Sequence, residues 1–414
     1  MLITNTSTTD VERPKRPNGN KICRSSSVYC IDFKGSRQRQ SAMFSLRLVE
    51  RPLPSLERDI DGLVEWFADT LCLVRKRGDA TADHGRAGTV HRLLRDYLLG
   101  QPDAAWDAQM LADELAQQPA ALNHHLARLV EAGLIGFTNE GKGWRKYYLA
   151  GGSISHAVAH MQQHASLILN QRIKSLDPHW QRKGTPLPVE LPQDESAPFM
   201  LGLVDHRPHP TDDDGSALSH WMNDFGLLGE RPGQELAADS LSVRLFLRLL
   251  QRDAPLSLDE AVELEGGQKA RVGRILDRFR SSGMVERVPR TDRLSTALWT
   301  AMTTQHQRRG EDWMLKKGGF QRLLNDAQQT VLLKALAANK LSVEDVSAHL
   351  EGVEARDQML LLNLLGGRLP MGYRMAGADV AAVQRRVQDR LDRVMRRMVR
   401  VASMLDEAMA EARA

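Results

Sequence analysis

Asn123, His124 and Arg128 lie in PAALNHHLARLVEAGLIGF (119–137), where leucines recur at helical spacing. An Asn amide on a groove-facing helix pairs with the donor and acceptor of an adenine edge, and Arg or His reaches guanine or phosphate. Ala120 and Ala127 share that side, and their small side chains permit close approach to a groove wall. Lys142, Arg145 and Lys146 follow around a glycine-containing turn, where cations suit the sugar-phosphate backbone and set position rather than sequence. A second basic run carries Lys269, Arg271, Arg274, Arg278 and Arg280, with Arg287, Arg290 and Arg293 after it; such charges supply affinity and salt sensitivity. His156, His160 and His164 fall at i, i+4 and i+8, a stripe of imidazoles of the kind that ligates Zn, Ni or Cu. No Asp, Glu or Cys completes that stripe before Asp177, so it reads as a polar helix edge, and no cofactor is expected.

These side chains need elements to hold them. Residues 108–116 predict a helix with Met110, Leu111 and Leu115 buried; Gln117 and Gln118 turn; Pro119 opens a second helix at the position where a missing N–H costs least. Leu122, Leu126, Leu129 and Val130 form its apolar face, and Gly133 stops it. Leu134, Ile135 and Phe137 make a short strand, 139–143 a turn, and 144–149 the return strand. Helix, turn, helix and hairpin in that order describe a winged helix-turn-helix, which puts one helix into a DNA major groove.

On NHHLARLVEAGLI, the Gly/Lys turn and RKYYL, residues 88–176 resemble the ArsR type of bacterial winged-helix repressor, with MarR-type proteins close behind. The resemblance implies a dimeric, sequence-specific DNA-binding regulator with Asn123, His124 and Arg128 in its recognition helix. The Cys-Val-Cys of the metal-sensing members has no counterpart in MLADELA (110–116), so their metal ligand does not carry over.

The motif recurs. RVGRILDRFRSSGMV (271–285) set beside ALNHHLARLVEAGLI (121–135) matches Leu122 with Val272, Leu126 with Leu276, Arg128 with Arg278, Leu129 with Phe279 and Gly133 with Gly283. With helices at 241–250 and 258–264 before it, this predicts a second winged helix whose hairpin spans 285–299 around 289–293. Helices at 331–338, 343–350 and 359–365 predict a worn third copy within 326–375, suited to packing or a partner. Ser153 caps a long helix to about 176, with Ile154, Val158, Met161, Ala165 and Ile168 alternating by four and three. Residues 379–413 carry the same seam in Val387, Leu391, Val394, Met398, Val401 and Leu405, amid Arg385, Arg386, Arg390, Arg393, Arg396, Arg397 and Arg400. That pattern predicts coiled-coil dimerisation, with a basic arm on DNA and packing on the chain's own domains as the rivals.

The expected class is therefore mainly α, with tandem winged helix-turn-helix domains, small hairpin wings and a long C-terminal helix. The expected division is a disordered tail over 1–42, a first winged-helix domain with its dimer-type helix over 43–176, a linker over 177–215, a second winged-helix domain over 216–310, a helical domain over 311–375 and a coiled-coil helix over 376–414. Met43 reads as an alternative translation start. The formal charge of +4 makes basicity local, and Cys23, Cys30 and Cys72 suit a reducing cytoplasm rather than a disulfide framework. There is no apolar run long enough for a membrane span, no signal-peptide core, and no phosphate loop or nucleophile elbow; GKGWRK (141–146) lacks the upstream glycine and following Ser or Thr, and Asp212, Asp213 and Asp214 lie in the linker. An enzyme is not expected. The reading is a cytoplasmic, nucleoid-associated, homodimeric regulator on double-stranded promoter DNA; a plasmid replication or segregation protein and a winged-helix scaffold for protein partners are the alternatives.

Overall fold

Phe44, Leu46 and Leu48 are buried while Ser45, Arg47 and Val49 are not, and this period of two builds the first strand, β1 (Ser45–Val49). The structure is a computed structural model that describes residues 43–54, 59–74, 88–139, 145–183, 194–205, 217–229 and 237–414. The expected tail with Cys23 and Cys30, the linker residues Asp212, Asp213 and Asp214, and the expected turn with Lys142 lie outside them.

α1 (Ile60–Thr70) buries Leu63, Val64 and Phe67. α2 (Thr89–Arg92) continues into a π-helical stretch, Leu93–Leu99. β2 (Trp106–Asp107) runs into α3 (Ala108–Glu114), because the Asp107 carboxylate accepts from the Gln109 and Met110 amides and caps the helix. α4 (Pro119–Glu131) starts at the proline and stops before Gly133, whose φ of +76° is the left-handed turn that favours glycine. β3 (Ile135–Thr138) and β4 (Lys146–Leu149) pair antiparallel, and β2 adds to the far edge of β4, giving the sheet order β2-β4-β3. Ser153 caps α5 (Ile154–Arg172), accepting from the His156 amide.

The chain then repeats this order. β5 (Met200–Val204), α6 (Ala217–Asp224), α7 (Leu241–Gln251), α8 (Leu258–Glu265), α9 (Lys269–Ser281) and β6 (Val285–Pro289) follow one another. The caps Asp107 and Ser257, the helix starts Pro119 and Lys269, and the turns Gly133 and Gly283 are each 150 residues apart. The expected linker 177–215 is thus not all linker: it contributes β5 and the wholly buried Phe199.

The hairpin expected over 285–299 does not form. After β6 the chain enters six helices: α10 (Leu294–Arg309), α11 (Glu311–Lys316), α12 (Phe320–Leu323), α13 (Asp326–Ala337), α14 (Val343–Leu350) and α15 (Ala355–Leu364). Only then does β7 (Met371–Met375) return, pairing with β6 from Val285↔Met375 to Pro289↔Met371. Leu256 bridges to Tyr373 as Trp106 pairs with Tyr147. Counterparts now differ by 226 (Tyr147 to Tyr373, cap Ser153 to cap Asp379), so the second repeat has 76 more residues between its paired strands than the first has between β3 and β4. The helices of the expected third copy exist, but they belong to this insert, which has its own core around Leu298, Met302, Phe320, Leu332, Val346 and Leu361; residues 371–375 complete the second repeat.

α16 (Val380–Arg413) buries Val387, Leu391, Val394, Met398, Val401 and Leu405 almost completely. Its partner is α5 of the same chain, running antiparallel. Gln384 Nε2 donates to Asn170 Oδ1 at 2.7 Å, Gln388 Nε2 donates to Ser166 Oγ at 3.0 Å, and the Asp406 carboxylate accepts from the Ile154 and Ser155 amides. The seam expected to join two chains is filled from within one, and Ile154, Val158, Met161, Ala165 and Ile168 supply the facing side. Each large apolar side chain fully withdrawn from water there contributes about 1.5–3 kcal/mol. β1 and β5 also pair antiparallel, from Ser45↔Val204 to Val49↔Met200. The fold is mainly helical with small antiparallel sheets, and among the described residues no helix is long and apolar enough to cross a membrane.

Candidate nucleic-acid interface

Leu122, Leu126 and Leu129 anchor α4 with no more than 1% of their surface exposed. That fixes which side of the helix faces out: Ala120, Ala121, Asn123, His124 and Ala127 are all exposed. Asn123 and His124 therefore lie where the sequence puts them, on a bare and uncharged helix face. Behind them His125 is partly buried, its ring 5.9 Å from that of His124; burial first, then the neighbouring His124 and Arg128, push its pKa below the ordinary imidazole value.

Arg128 does not join that face. Its guanidinium donates to the Leu73 carbonyl at 3.0 Å and to the Cys72 carbonyl, in the turn that ends α1. Arg278 does the same in the second repeat, donating to the Leu227 carbonyl at 3.4 Å after α6. The sequence assigns both arginines to DNA; in the structure Arg128 ties α4 to the end of α1, and Arg278 ties α9 to the segment after α6. Periodicity alone does not separate a cation at the rim of a helix face from one turned inward onto carbonyls far away in sequence.

Arg145 is exposed, its guanidinium 4.8 Å from the centre of the Phe137 ring, and Lys146 is partly buried in β4. Lys142 lies outside the described residues. In the second repeat Val272, Leu276 and Phe279 are wholly buried, which leaves Lys269, Ala270, Arg271, Arg274 and Asp277 exposed on α9. Lys269 Nζ is 2.5 Å from Asp259 Oδ1. Arg271 and Arg274 have no carboxylate partner among the described residues. Where the first repeat presents small neutral groups, the second presents cations.

The other basic candidates serve the fold. Arg280 grips Asp194 with two hydrogen bonds of 2.5 and 2.6 Å, and the Arg287 amide adds a third at 3.1 Å. Burial opposes ionisation of Asp194, but the bonds from Arg280, the Arg287 amide and Ser196 outweigh it and hold the carboxyl well below the usual carboxylate range. Arg290 is buried, pairing with Asp292 at 2.6 Å and with Glu260, which also takes Arg252 at 3.3 Å and Arg293 at 3.4 Å. Burial raises Glu260, yet the Arg290 hydrogen bond, the Ser257 amide and Arg252 bring its pKa down to about 2. On α16, Arg386 pairs with Glu286 at 2.6 Å, Arg393 with Glu195 at 2.8 Å and Arg397 with Glu50 at 3.0 Å, so much of the arginine crowd ties the last helix to the body.

The histidine stripe does not converge. His156 Nδ1 lies 3.2 Å from the Gly151 carbonyl, while the His164 ring packs at a tilt against Phe44, 4.2 Å between centres. Among the described residues no group of three or more His, Cys, Asp and Glu side chains is placed to hold a metal.

Comparison with protein families, curated proteins and solved structures finds no match to the chain.

Proposed function

We propose that this chain binds double-stranded DNA as a transcription regulator, through two winged-helix modules whose α4 and α9 enter major grooves. The observation that carries the reading is the state of those two helices: each packs by one apolar side and leaves the opposite side bare, small and polar in α4, cationic in α9. The element order and the strand order β2-β4-β3 support the winged-helix assignment of the first module. In the second, the Leu256–Tyr373 bridge and the β6–β7 pair give the same strand order, with a helical insert in the wing position. A lattice of phosphates explains why Arg145, Arg271 and Arg274 are left at the surface while so many other arginines are paired.

The test is a salt titration of affinity for duplex DNA. Replacing Arg145, Arg271 or Arg274 with Ala should flatten the slope of log K against log salt by about 0.9 for each phosphate no longer neutralised, and Arg145→Ala should leave base preference unchanged. Asn123→Ala should relax preference at one base pair, by about 1–3 kcal/mol of discrimination. A chain with no salt-sensitive affinity for duplex DNA would rule the reading out.

A further inference from the structure

The two repeats are related by more than a shared order of elements. In the β1–β5 ladder, Ser45 faces Val204 and Val49 faces Met200; shifting each residue to its counterpart 155 positions away turns one pair into the other. Arg47 faces Gly202, its own counterpart, so the ladder maps onto itself about that pair. The flanking bonds obey the same operation: the Glu50 amide donates to the Phe199 carbonyl at 2.7 Å, and the Asp205 amide to the Phe44 carbonyl at 3.0 Å.

The helix pair behaves alike. Two side-chain contacts between α5 and α16 share one index sum (Gln384 with Asn170, Gln388 with Ser166), and that register puts His164 opposite its counterpart Arg390, 226 residues on. Phe44 packs against the His164 ring, and its counterpart Phe199 lies 5.0 Å from the guanidinium of Arg390. A Cβ on Gly133 would meet the Phe44 ring at 3.8 Å, and one on Gly283 the Phe199 ring at 3.5 Å. Strand, helix and ring contacts all answer to one two-fold operation within a single chain. Such symmetry ordinarily relates the two subunits of a dimer, in which each contact i-to-j is matched by j-to-i.

A two-fold reader matches the local two-fold axes of duplex DNA, so its half-sites are inverted. The two reading faces differ, since Asn123 and His124 in α4 correspond to Gly273 and Arg274 in α9, and Ala121 corresponds to Arg271. We propose that one copy of this chain, without a second, occupies one inverted-repeat duplex site whose two halves are unequal. α4 reads one half through Asn123, and α9 holds the other through Arg271 and Arg274. The inference rests on the DNA-binding reading above.

The experiment is selection of duplexes from a randomised pool with the full chain, followed by native mass spectrometry and hydroxyl-radical footprinting of the selected site. The expected result is one site with two half-sites of different sequence, whose protection on the two strands is related by a two-fold axis, with one chain per duplex. Asn123→Ala should then relax one motif alone, while Arg274→Ala weakens protection over the other alone. Both positions are exposed, and circular dichroism checks that the variants fold. Direct repeats, a single motif, or two chains on one site would overturn the inverted-repeat proposal while leaving DNA binding intact. If the unaltered chain selects no duplex, both readings fall together.

Discussion

Arg128 illustrates how a residue's type and its task can part company. Its guanidinium is spent on two backbone carbonyls after α1, and Arg278 repeats the arrangement after α6. A buried hydrogen bond to a charged donor contributes about 1.5–3 kcal/mol, and each contributes less at this half-exposed site, where water reaches the freed carbonyls. Arg128→Ala should therefore lower stability by about 1–3 kcal/mol in denaturant unfolding, with the salt slope of DNA affinity unchanged; a flattened slope would put Arg128 back on phosphate. Glu260 permits a second prediction. Its carboxyl is held at about 2 in the fold against an ordinary value of 4.5, so its contribution to stability is complete above about pH 4.5 and is lost as pH falls toward 2. Asp194, also depressed, acts in the same direction. Unfolding midpoints measured from pH 6 down to pH 2 should fall steeply below about pH 4.5, and Glu260→Gln should flatten that fall while lowering stability at pH 6. At this scale the sequence made Asn123 and His124 legible as surface groups, because the leucines around them fix the helix face. It left Arg128, Arg278, Arg280 and Arg290 illegible, since their partners lie in segments distant along the chain.

Elements begin where local chemistry tells them to. Asp107, Ser153, Ser257 and Asp379 each accept from an amide two or three residues on, and each stands at the first turn of a helix. Ser257 and Glu260 form a full capping box. Ser257→Ala should cost about 1 kcal/mol by chemical denaturation, and more if the cap also seats Glu260 for its arginines. Helix starts were legible because a cap and its amide are neighbours in sequence. The return strand β7 was not, because nothing near residues 371–375 says that its partner ended at Pro289. The seam of α16 was legible as a seam, but period alone is the same whether the facing helix belongs to another chain or to this one. Its occupant decides the energetics: Leu391→Ala or Met398→Ala, both at 0% exposure, should cost about 2–5 kcal/mol in a transition that does not depend on protein concentration. A concentration-dependent midpoint would mean that the seam joins two chains.

For the molecule as a whole, the insert between β6 and β7 separates what the two-fold requires from what was added to it. The core of the two repeats runs through β1, β5, α5 and α16, whereas Leu298, Met302, Phe320, Leu332, Val346 and Leu361 make a second core of their own. The first repeat closes the same pair of strands with residues 139–145 alone. At the base of the insert the Arg290 amide donates to the Pro370 carbonyl at 2.8 Å, so the two strands are already joined where the helices begin. A two-residue Asn-Gly connection fits that geometry, since it adopts the positive-φ turn that closes twisted antiparallel strands. Replacing residues 291–369 with Asn-Gly should therefore give a folded, monomeric protein that unfolds in one transition. Arg290 is kept, so Glu260 retains its main partner, while Asp292 and Arg293 go with the insert. The far-UV helical signal should drop by the share of α10 to α15, and sedimentation should show one chain. An aggregated or uncooperative product would mean that the two cores depend on each other. Duplex affinity of the shortened chain then tells what the insert does: affinity kept with an unchanged footprint confines the insert to a task away from DNA, and a footprint shortened at the second half alone makes it the wing of that repeat.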